Sequence, residues 1–179
     1  MLQNFIEKEH IGTLLKNVSL KTKTSFRIGG TAKYFIEVSS VLALIKLIKF
    51  LKENNLKYFV IGKGTNLLFS DEYFDTIFIS LNKLNKSIKI TWDKYFVEAG
   101  CCSIKFGKKM VKLGFKDAIH LALIPGSIGG MVYMNASAFN HSMKDIVYKV
   151  MYITKEGVLK SITSSFGFDY RSSIFQTMD

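Results

Sequence analysis

The sequence predicts an α+β protein built from two lobes. Three observations support this: a strand–helix–strand unit lies in the first half of the chain, a strand-rich stretch with one helix follows it, and several glycine-bearing loops adjoin strands. The pattern changes near residues 80–86, where we place the boundary. We therefore assign residues 1–82 to the first lobe and residues 83–179 to the second, and expect a ligand between them.

The first lobe is predicted from a unit of about thirty residues, which is the usual size of a βαβ crossover. Residues 33–38 are typical of a strand. Apolar positions 41, 44, 45, 48 and 51 fall on one face of a helix over residues 41–52. A short buried strand over residues 57–61 then leads directly into a glycine-bearing loop. A further strand is predicted over residues 76–80.

The second lobe is predicted to contain more strands than helices. Strands are expected over residues 87–91 and 95–99, and Ser103 opens a helix that continues to about Leu113. Near the end of the chain, two strands over residues 146–154 and 158–162 are joined by residues 155–157, a plausible hairpin turn.

Composition indicates a folded, globular chain. Of its 179 residues, 48% are hydrophobic and 22% are charged, and lysines interrupt every apolar run before it reaches membrane-spanning length. The first ten residues lack the pattern of a signal peptide, so we expect a cytoplasmic protein with no membrane partner. Adjacent Cys101 and Cys102 are poorly spaced for a disulfide, and three scattered histidines predict no metal site.

The net charge of +11 does not by itself indicate a nucleic-acid partner. Only Arg27 and Arg171 among the 25 basic residues are arginine, and the lysines are scattered without an aromatic stripe. Base and phosphate recognition favours the planar guanidinium fork. We therefore expect no nucleic-acid partner, and the two arginines become informative.

Residues 124–133 contain the only proline of the chain and three of its thirteen glycines, set among apolar residues. One interpretation is buried backbone presented to a flat or anionic ligand, and the other is a tight turn between core elements. Asn135 follows this segment and could bind a ligand edge or cap a helix.

Residues 62–66, with the sequence Gly-Lys-Gly-Thr-Asn, follow a predicted strand. Successive backbone N–H groups in such a loop can form an anion-binding nest, although a plain turn is the alternative. The segment is neither a Walker A motif nor Gly-x-Gly-x-x-Gly, because Leu67 stands where the last glycine would be.

Two further segments carry the arginines. Residues 25–30 predict a bend with a solvated Arg27. Near the chain end, Arg171 beside Tyr170 could clamp a carboxylate or stabilise a developing enolate. The alternative is a surface arginine paired with Asp169.

The order of these motifs closely resembles UDP-N-acetylenolpyruvoylglucosamine reductase, a family of flavoproteins that make the muramic acid precursor of peptidoglycan. The resemblance rests on residues 24–30, 62–68, 123–130 with 135–136, and 170–173, and it runs from about residue 20 to residue 177. It implies a two-lobed FAD-binding fold of the vanillyl-alcohol oxidase (PCMH) type over about residues 24–179. It also implies FAD as cofactor, NADPH as hydride donor and a UDP-sugar as substrate.

The resemblance assigns roles to particular residues. It implies that Arg171 is catalytic, that Tyr170 positions the substrate, and that one loop holds the FAD pyrophosphate while the other segment lines the flavin. The implied cofactor-binding residues are Gly62, Lys63, Gly64, Thr65, Asn66, Leu67, Ile124, Pro125, Gly126, Ser127, Gly129, Gly130, Asn135 and Ala136.

The sequence departs from the family pattern in several places. Ser137 and Asn140 replace glycines of the family's Asn-Ala-Gly-Ala-Tyr-Gly segment, and Ile119 replaces a glutamate. The family normally continues into a third domain that supplies a proton-donating serine and a glutamate, and this chain ends before it. A shortened enzyme, a separate chain that supplies that domain, and an FAD-binding but inactive remnant or regulatory protein are the alternatives.

Overall fold

The computed structural model describes residues 1–178, which group into two units. The first unit comprises Met1–Leu84 together with Ile153–Leu159, and the second contains the other described residues. Residues 153–159 were predicted in the second lobe but group with the first unit, where Ile153 packs against a core that contains Leu47 and Ile79. The assignment of functional domains to residues 1–82 and 83–179 stays a prediction.

The first unit is a four-stranded sheet with two helices. Its elements are α1 (Leu2–Lys8), β1 (Gly12–Ser19), β2 (Thr31–Val38), α2 (Val41–Glu53), β3 (Tyr58–Ile61) and β4 (Tyr73–Ser80). The strand order is β1-β2-β4-β3, with β1 antiparallel to β2 and the other pairs parallel. The predicted βαβ unit is present, but β4 lies between its two strands. Neither α1 nor β1 was predicted, because α1 is short and β1 does not alternate strictly.

Helix α2 covers one face of this sheet. The Ser40 hydroxyl accepts a hydrogen bond from the Ala43 N–H at 3.1 Å and so begins the helix. The buried face includes Ala43 and Leu47, which were not on the predicted stripe, while Val41 and Ile45 are only half-buried. The apolar face of α2 is therefore turned slightly from the predicted one.

Strand β4 is buried on both faces, as expected for a strand between parallel neighbours. Ile77 and Ile79 belong to the core under α2, whereas Phe78 belongs to a second core on the other face. That second core also contains Phe35 and Ile61. It supports the loop that follows β3, because Ile61 is the last residue of that strand.

The second unit consists of short elements. They are β5 (Ser87–Lys89), β6 (Tyr95–Val97), α3 (Ser103–Lys112), α4 (Ile119–Leu123), α5 (Ile128–Tyr133), β7 (Ser137–Ala138), β8 (His141–Ser142), α6 (Met143–Ile146), β9 (Val150–Ile153) and β10 (Leu159–Ile162). The ends of β9 and β10 belong to the first unit. The pairs β5-β6, β7-β8 and β9-β10 are each two-stranded. Met110, Leu121 and Met131 lie in the core of this unit.

Two sequence-based assignments in this unit were wrong. A strand was predicted from residue 146, but α6 occupies residues 143–146 and the strand begins at Val150. The reason is a capping box at the start of α6. The Ser142 side chain accepts from the Asp145 N–H, and the Asp145 carboxylate accepts from the Ser142 N–H. The segment 124–133 was interpreted as a loop, but α5 begins at Ile128.

The predicted hairpin turn at residues 155–157 is confirmed. The Thr154 N–H donates to the Val158 carbonyl at 2.9 Å, and Gly157 supplies the positive φ of 71° that the turn requires. Within residues 1–178, no helix is long and apolar enough to cross a membrane. The same residues contain no cluster of three or more His, Cys, Asp or Glu side chains placed to hold a metal.

His120 is a fully buried titratable side chain in α4. Its Nδ1 donates to the Asp117 carbonyl at 3.0 Å, and its Nε2 is buried without a hydrogen-bond partner among residues 1–178. The ring stacks on His141 with centroids 6.5 Å apart. Burial, the largest cause, lowers the pKa of His120 and so favours the neutral imidazole in the folded chain.

We expect the free energy of unfolding to fall as the pH drops from 7 to 5. The unfolded chain takes up a proton at the ordinary histidine pKa of about 6.5, whereas folded His120 resists protonation until lower pH. Urea unfolding at both pH values should show a smaller decline for His120→Gln than for wild type. His10→Gln, at an exposed histidine, is the control. Equal declines for wild type and His120→Gln would contradict the prediction.

Candidate functional site

A cleft of about 300 Å³ opens in the first unit at the loop that follows β3. It is lined by Thr22, Lys23, Thr24, Ser25, Phe35, Ile61, Gly62, Lys63 and Asn82. Two of the sequence motifs, residues 24–30 and 62–68, therefore meet at one place. We refer to this cavity as the first-unit cleft.

The loop 62–66 presents backbone donors at the first-unit cleft. The N–H groups of Lys63, Gly64, Thr65 and Asn66 donate to no acceptor among residues 1–178. The N–H groups of residues 67–72 have no such acceptor either, so the distinguishing feature is the positive φ of Gly64, which is typical of a nest whose successive N–H groups converge on an anion. The geometry therefore favours the anion-binding interpretation of this loop over a plain turn.

Gly64 fastens this loop to the preceding motif. Its φ is +65°, and its carbonyl accepts a hydrogen bond from the Ser25 N–H at 3.0 Å. A Cβ at position 64 would collide with the carbonyl oxygen of Lys23. Only glycine meets both the positive φ and the close approach.

Thr24 is the buried residue of the neighbouring turn. Its hydroxyl lies 3.4 Å from the Leu20 carbonyl and 3.3 Å from the Ile28 carbonyl. Arg27 in the same turn is exposed, with a φ of +55°. The predicted bend with a solvated Arg27 is thus confirmed.

The first-unit cleft carries positive side chains and no acidic ones. The Lys23 ammonium lies 4.6 Å from the centroid of the Phe35 ring, and Lys63 lines the same cavity. Neither lysine is within ion-pair distance of a carboxylate among the described residues. Sequence reasoning missed Lys23, although its position directly before the Thr24 motif was a usable signal. The cleft is therefore suited to an anionic ligand.

In the second unit, Ser103 anchors the Pro-Gly segment. It is fully buried at the start of α3, and its hydroxyl donates to the Ile124 carbonyl at 2.7 Å and lies 3.1 Å from the Gly126 carbonyl. The Ser103 N–H also donates to Gly126 at 3.1 Å. Sequence reasoning identified Ser103 only as a helix start and missed this role.

The N–H groups near the end of residues 124–130 are used within the protein, and cofactor contact by Gly129 and Gly130 stays a prediction. The N–H groups of Ile128 and Gly129 donate to the carbonyls of Cys101 at 3.0 Å and Ala99 at 2.8 Å. A Cβ on Gly129 would lie only 2.7 Å from the Ala99 Cβ, so packing explains this glycine.

Helix α5 uses the next residues of this segment. The buried Ser127 hydroxyl caps α5 by accepting from the Gly130 N–H at 3.4 Å. Within residues 124–130, only the N–H groups of Gly126 and Ser127 lack an acceptor among residues 1–178. Pro125 has no backbone N–H. Pro125 itself is exposed.

Asn135 is occupied by protein contacts. Its Nδ2 donates to the Asp169 carbonyl at 2.9 Å, and its Oδ1 accepts from the Lys144 N–H, in the first turn of α6, at 3.0 Å. The adjacent Ala136 N–H donates to Met131 at 2.9 Å. Asn135 is not the N-cap of a helix, because Ser142 caps α6, and cofactor contact by residues 135–136 stays a prediction.

Tyr170 and Arg171 occupy the centre of a tight turn, Asp169–Ser172, which we call the Arg171 turn. Asp169 and Ser172 exchange two backbone hydrogen bonds of 3.2 Å each. The Asp169 carboxylate accepts from the Tyr170 N–H, and no carboxylate of residues 1–178 lies within ion-pair distance of Arg171. The predicted surface pair between Arg171 and Asp169 is therefore wrong, and the guanidinium instead lies 5.7 Å from the Tyr170 ring centroid.

The two departures from the family glycines differ in consequence. Ser137 has no positive φ, so a serine fits there without strain. Phe139 and Asn140 form the turn between β7 and β8 with φ values of +53° and +61°. Asparagine tolerates this region better than other residues, so Asn140 replaces glycine at a modest cost.

We expect Gly64→Ala to destabilise the first unit by about 2–4 kcal/mol, because the methyl group meets the Lys23 carbonyl at a positive φ. Gly114→Ala is the matched control, since Gly114 has a φ of +90° but no atom within 4 Å of its ideal Cβ. Urea unfolding should show a clearly larger loss for Gly64→Ala. Equal losses would mean that the close approach to Lys23 has no energetic consequence.

Comparison with known proteins gives the family. A family model described as FAD binding domain matches residues 32–163. The UDP-N-acetylenolpyruvoylglucosamine reductase of Carboxydothermus hydrogenoformans is 35% identical over 176 residues, which are 98% of this chain and 58% of that protein. The reductase of the same name from Bacillus subtilis is 32% identical over 177 residues, again 98% of this chain and 58% of the relative.

Solved structures agree with the fold. The UDP-N-acetylenolpyruvylglucosamine reductase (MurB) of Thermus caldophilus superposes with a TM-score of 0.71 at 26% identity, over 87% of this chain and 55% of that one. Berberine bridge enzyme from Eschscholzia californica has a TM-score of 0.65 at 12% identity, over 90% of this chain and 37% of that one, and shows the fold alone.

These comparisons confirm the predicted α+β fold of the vanillyl-alcohol oxidase type. The chain spans little more than half the length of the reductases it matches. The family model covers most of both units. The chain belongs to the FAD binding domain family.

Proposed function

We propose that this chain binds FAD and is the FAD-binding part of a UDP-N-acetylenolpyruvoylglucosamine reductase. The reaction is the NADPH-dependent reduction of the enolpyruvyl UDP-sugar to UDP-N-acetylmuramate, a peptidoglycan precursor. The names of the relatives support the reaction. The observation that carries cofactor binding is the loop at the first-unit cleft, in which the unpaired N–H groups from Lys63 to Asn66 surround the positive φ of Gly64.

The residues of the first-unit cleft fit the diphosphate of FAD. A diphosphate offers several oxygen acceptors with negative charge, and the cleft offers consecutive backbone donors with two lysines. Thr65 and Asn66 add side-chain donors to the same loop. We assign Gly62, Lys63, Gly64, Thr65, Asn66 and Leu67 to this role, and add Lys23.

In the second unit, we assign the flavin-facing role to Ile124, Pro125, Gly126 and Ser127. The unpaired N–H groups of Gly126 and Ser127 suit the acceptor edge of an isoalloxazine ring. Gly129, Gly130, Asn135 and Ala136 support this segment through packing and hydrogen bonds. Bound FAD would supply the hydride chemistry that amino-acid side chains lack.

Arg171 is the residue to which we assign substrate activation. Its guanidinium is exposed and has no ion-pair partner within residues 1–178, so it can meet the substrate carboxylate and the enolate that develops beside it. A guanidinium stays charged throughout and binds both oxygens of a carboxylate, which a lysine does less well. Tyr170, 82% exposed, lies beside it and is assigned to substrate positioning.

We expect Lys23→Met to weaken FAD binding by about 10- to 100-fold, because one charge-assisted hydrogen bond to the diphosphate is lost. Methionine has a similar length and no charge, so the substitution removes the ammonium that lies over the Phe35 ring. Lys21→Met, at an exposed lysine outside the first-unit cleft, controls for net charge and should change affinity little. Titration followed by flavin fluorescence measures both. Wild-type protein that takes up no FAD would refute the proposal.

We expect NADPH oxidation by the FAD-loaded chain to depend on the enolpyruvyl UDP-sugar. Arg171→Ala should lower this rate by at least about 100-fold, since charge stabilisation at the developing enolate is lost. Arg171→Lys should recover only part of it. FAD affinity should be the same in all three proteins. If the chain binds FAD normally but NADPH oxidation does not depend on the substrate, the FAD-binding proposal stands and the reductase assignment for this chain is overturned.

A further inference from the structure

We propose that Gln176 is a positioning residue that holds the Arg171 turn against the end of α5. This inference rests on the proposed function for the role of Arg171, but its geometry is independent of that role. Gln176 lies five residues after the arginine, and its side chain returns to the arginine's own backbone. None of the sequence motifs included it.

The Gln176 carboxamide bridges two carbonyl groups. Its Nε2 donates to the Tyr133 carbonyl at 3.0 Å and to the Arg171 carbonyl at 3.1 Å. Tyr133 is the last residue of α5, and the final carbonyls of a helix lack intrahelical partners. The buried Ser173 hydroxyl donates to the same Tyr133 carbonyl at 2.7 Å. The helix end therefore serves as the anchor, and Gln176 connects it directly to the arginine backbone.

Asn135 holds the opposite side of the Arg171 turn. Its Nδ2 binds the carbonyl of Asp169, the first residue of the turn, while Gln176 binds the carbonyl of Arg171. Asn135 follows α5 by two residues, so both attachments originate from the same helix end. The turn is thus tied at two points to the segment that begins with the Pro-Gly motif.

The backbone of Arg171 adopts a conformation that needs support from neighbouring contacts. Its φ of +51° is unfavourable for a side chain with a Cβ, by about 1–2 kcal/mol, and such a conformation persists only where surrounding contacts enforce it. The guanidinium has no ion pair among residues 1–178 and lies near the Tyr170 ring of the same turn, so the backbone of the turn sets where both side chains lie. Substrate activation requires that position to be maintained within a fraction of an ångström.

The chain's arginine content provides a test that needs no cofactor. Arg27 and Arg171 are the only arginines, and both are exposed with positive φ, so an arginine-specific protease can report each turn separately. Gln176→Met keeps the length and removes both donors. We expect cleavage after Arg171 to become about tenfold faster, while cleavage after Arg27 stays at the wild-type rate. Gln176→Lys keeps a donor in reach and should return cleavage close to wild type.

Unchanged cleavage after Arg171 in Gln176→Met would overturn the proposal. Equal acceleration at both arginines would also overturn it, because it would mean a general loss of structure. In the FAD-loaded chain, Gln176→Met should lower kcat at least tenfold with unchanged FAD affinity, as expected for a misplaced guanidinium. If even the wild type oxidises no NADPH, the proposed function fails, and the protease result alone decides the positioning role.

Discussion

The close contact between Gly64 and the backbone of residues 23–25 is the constraint on which the first-unit cleft depends. Because Gly64 has no Cβ, its loop can lie directly against the Lys23 carbonyl and accept the Ser25 N–H. This attachment uses the carbonyl side of the loop. The N–H side is left without protein partners from Lys63 to Asn66. A single backbone contact therefore fixes the loop through its carbonyl side and leaves its N–H groups available to an anion.

In the second unit, side chains rather than backbone contacts hold the irregular segments in place. Here buried polar side chains bind main-chain groups: Ser103 holds two carbonyls of the Pro-Gly segment, and Asn135 holds Asp169. Ser173 and Gln176 occupy the carbonyl at the end of α5. Side chains of this kind replace the sheet ladder that supports the first unit, which explains how short elements can keep irregular segments in place.

Sequence reasoning predicted most of the regular structure and the positions of the motifs. Helix α2, helix α3, strands β2 to β6 and strand β10 follow periodicity and capping, which are local signals, whereas the short strands β7 and β8 were not predicted. The insertion of β4 between β2 and β3 is a tertiary choice and leaves no local trace. Ser103 binds a carbonyl 21 residues away, and Gln176 binds one carbonyl 43 residues away and another across a turn. Residue type alone could not predict these partners. The free donors of residues 63–66 were predictable because a nest needs only consecutive residues.

The two kinds of positive charge have different tasks in this chain. Most basic residues are lysines, which make the electrostatic potential of the protein positive and so attract anionic ligands. A net charge of +11 does not, however, define where a ligand binds. In the first-unit cleft, backbone donors supply the geometry, so point charges such as Lys23 and Lys63 are sufficient. The Arg171 turn presents no comparable row of donors, since its two backbone N–H groups at Asp169 and Ser172 bind each other's carbonyls. In the proposed role of Arg171, the side chain itself supplies the directional donors there, and an arginine suits that role better than the lysines that dominate this chain.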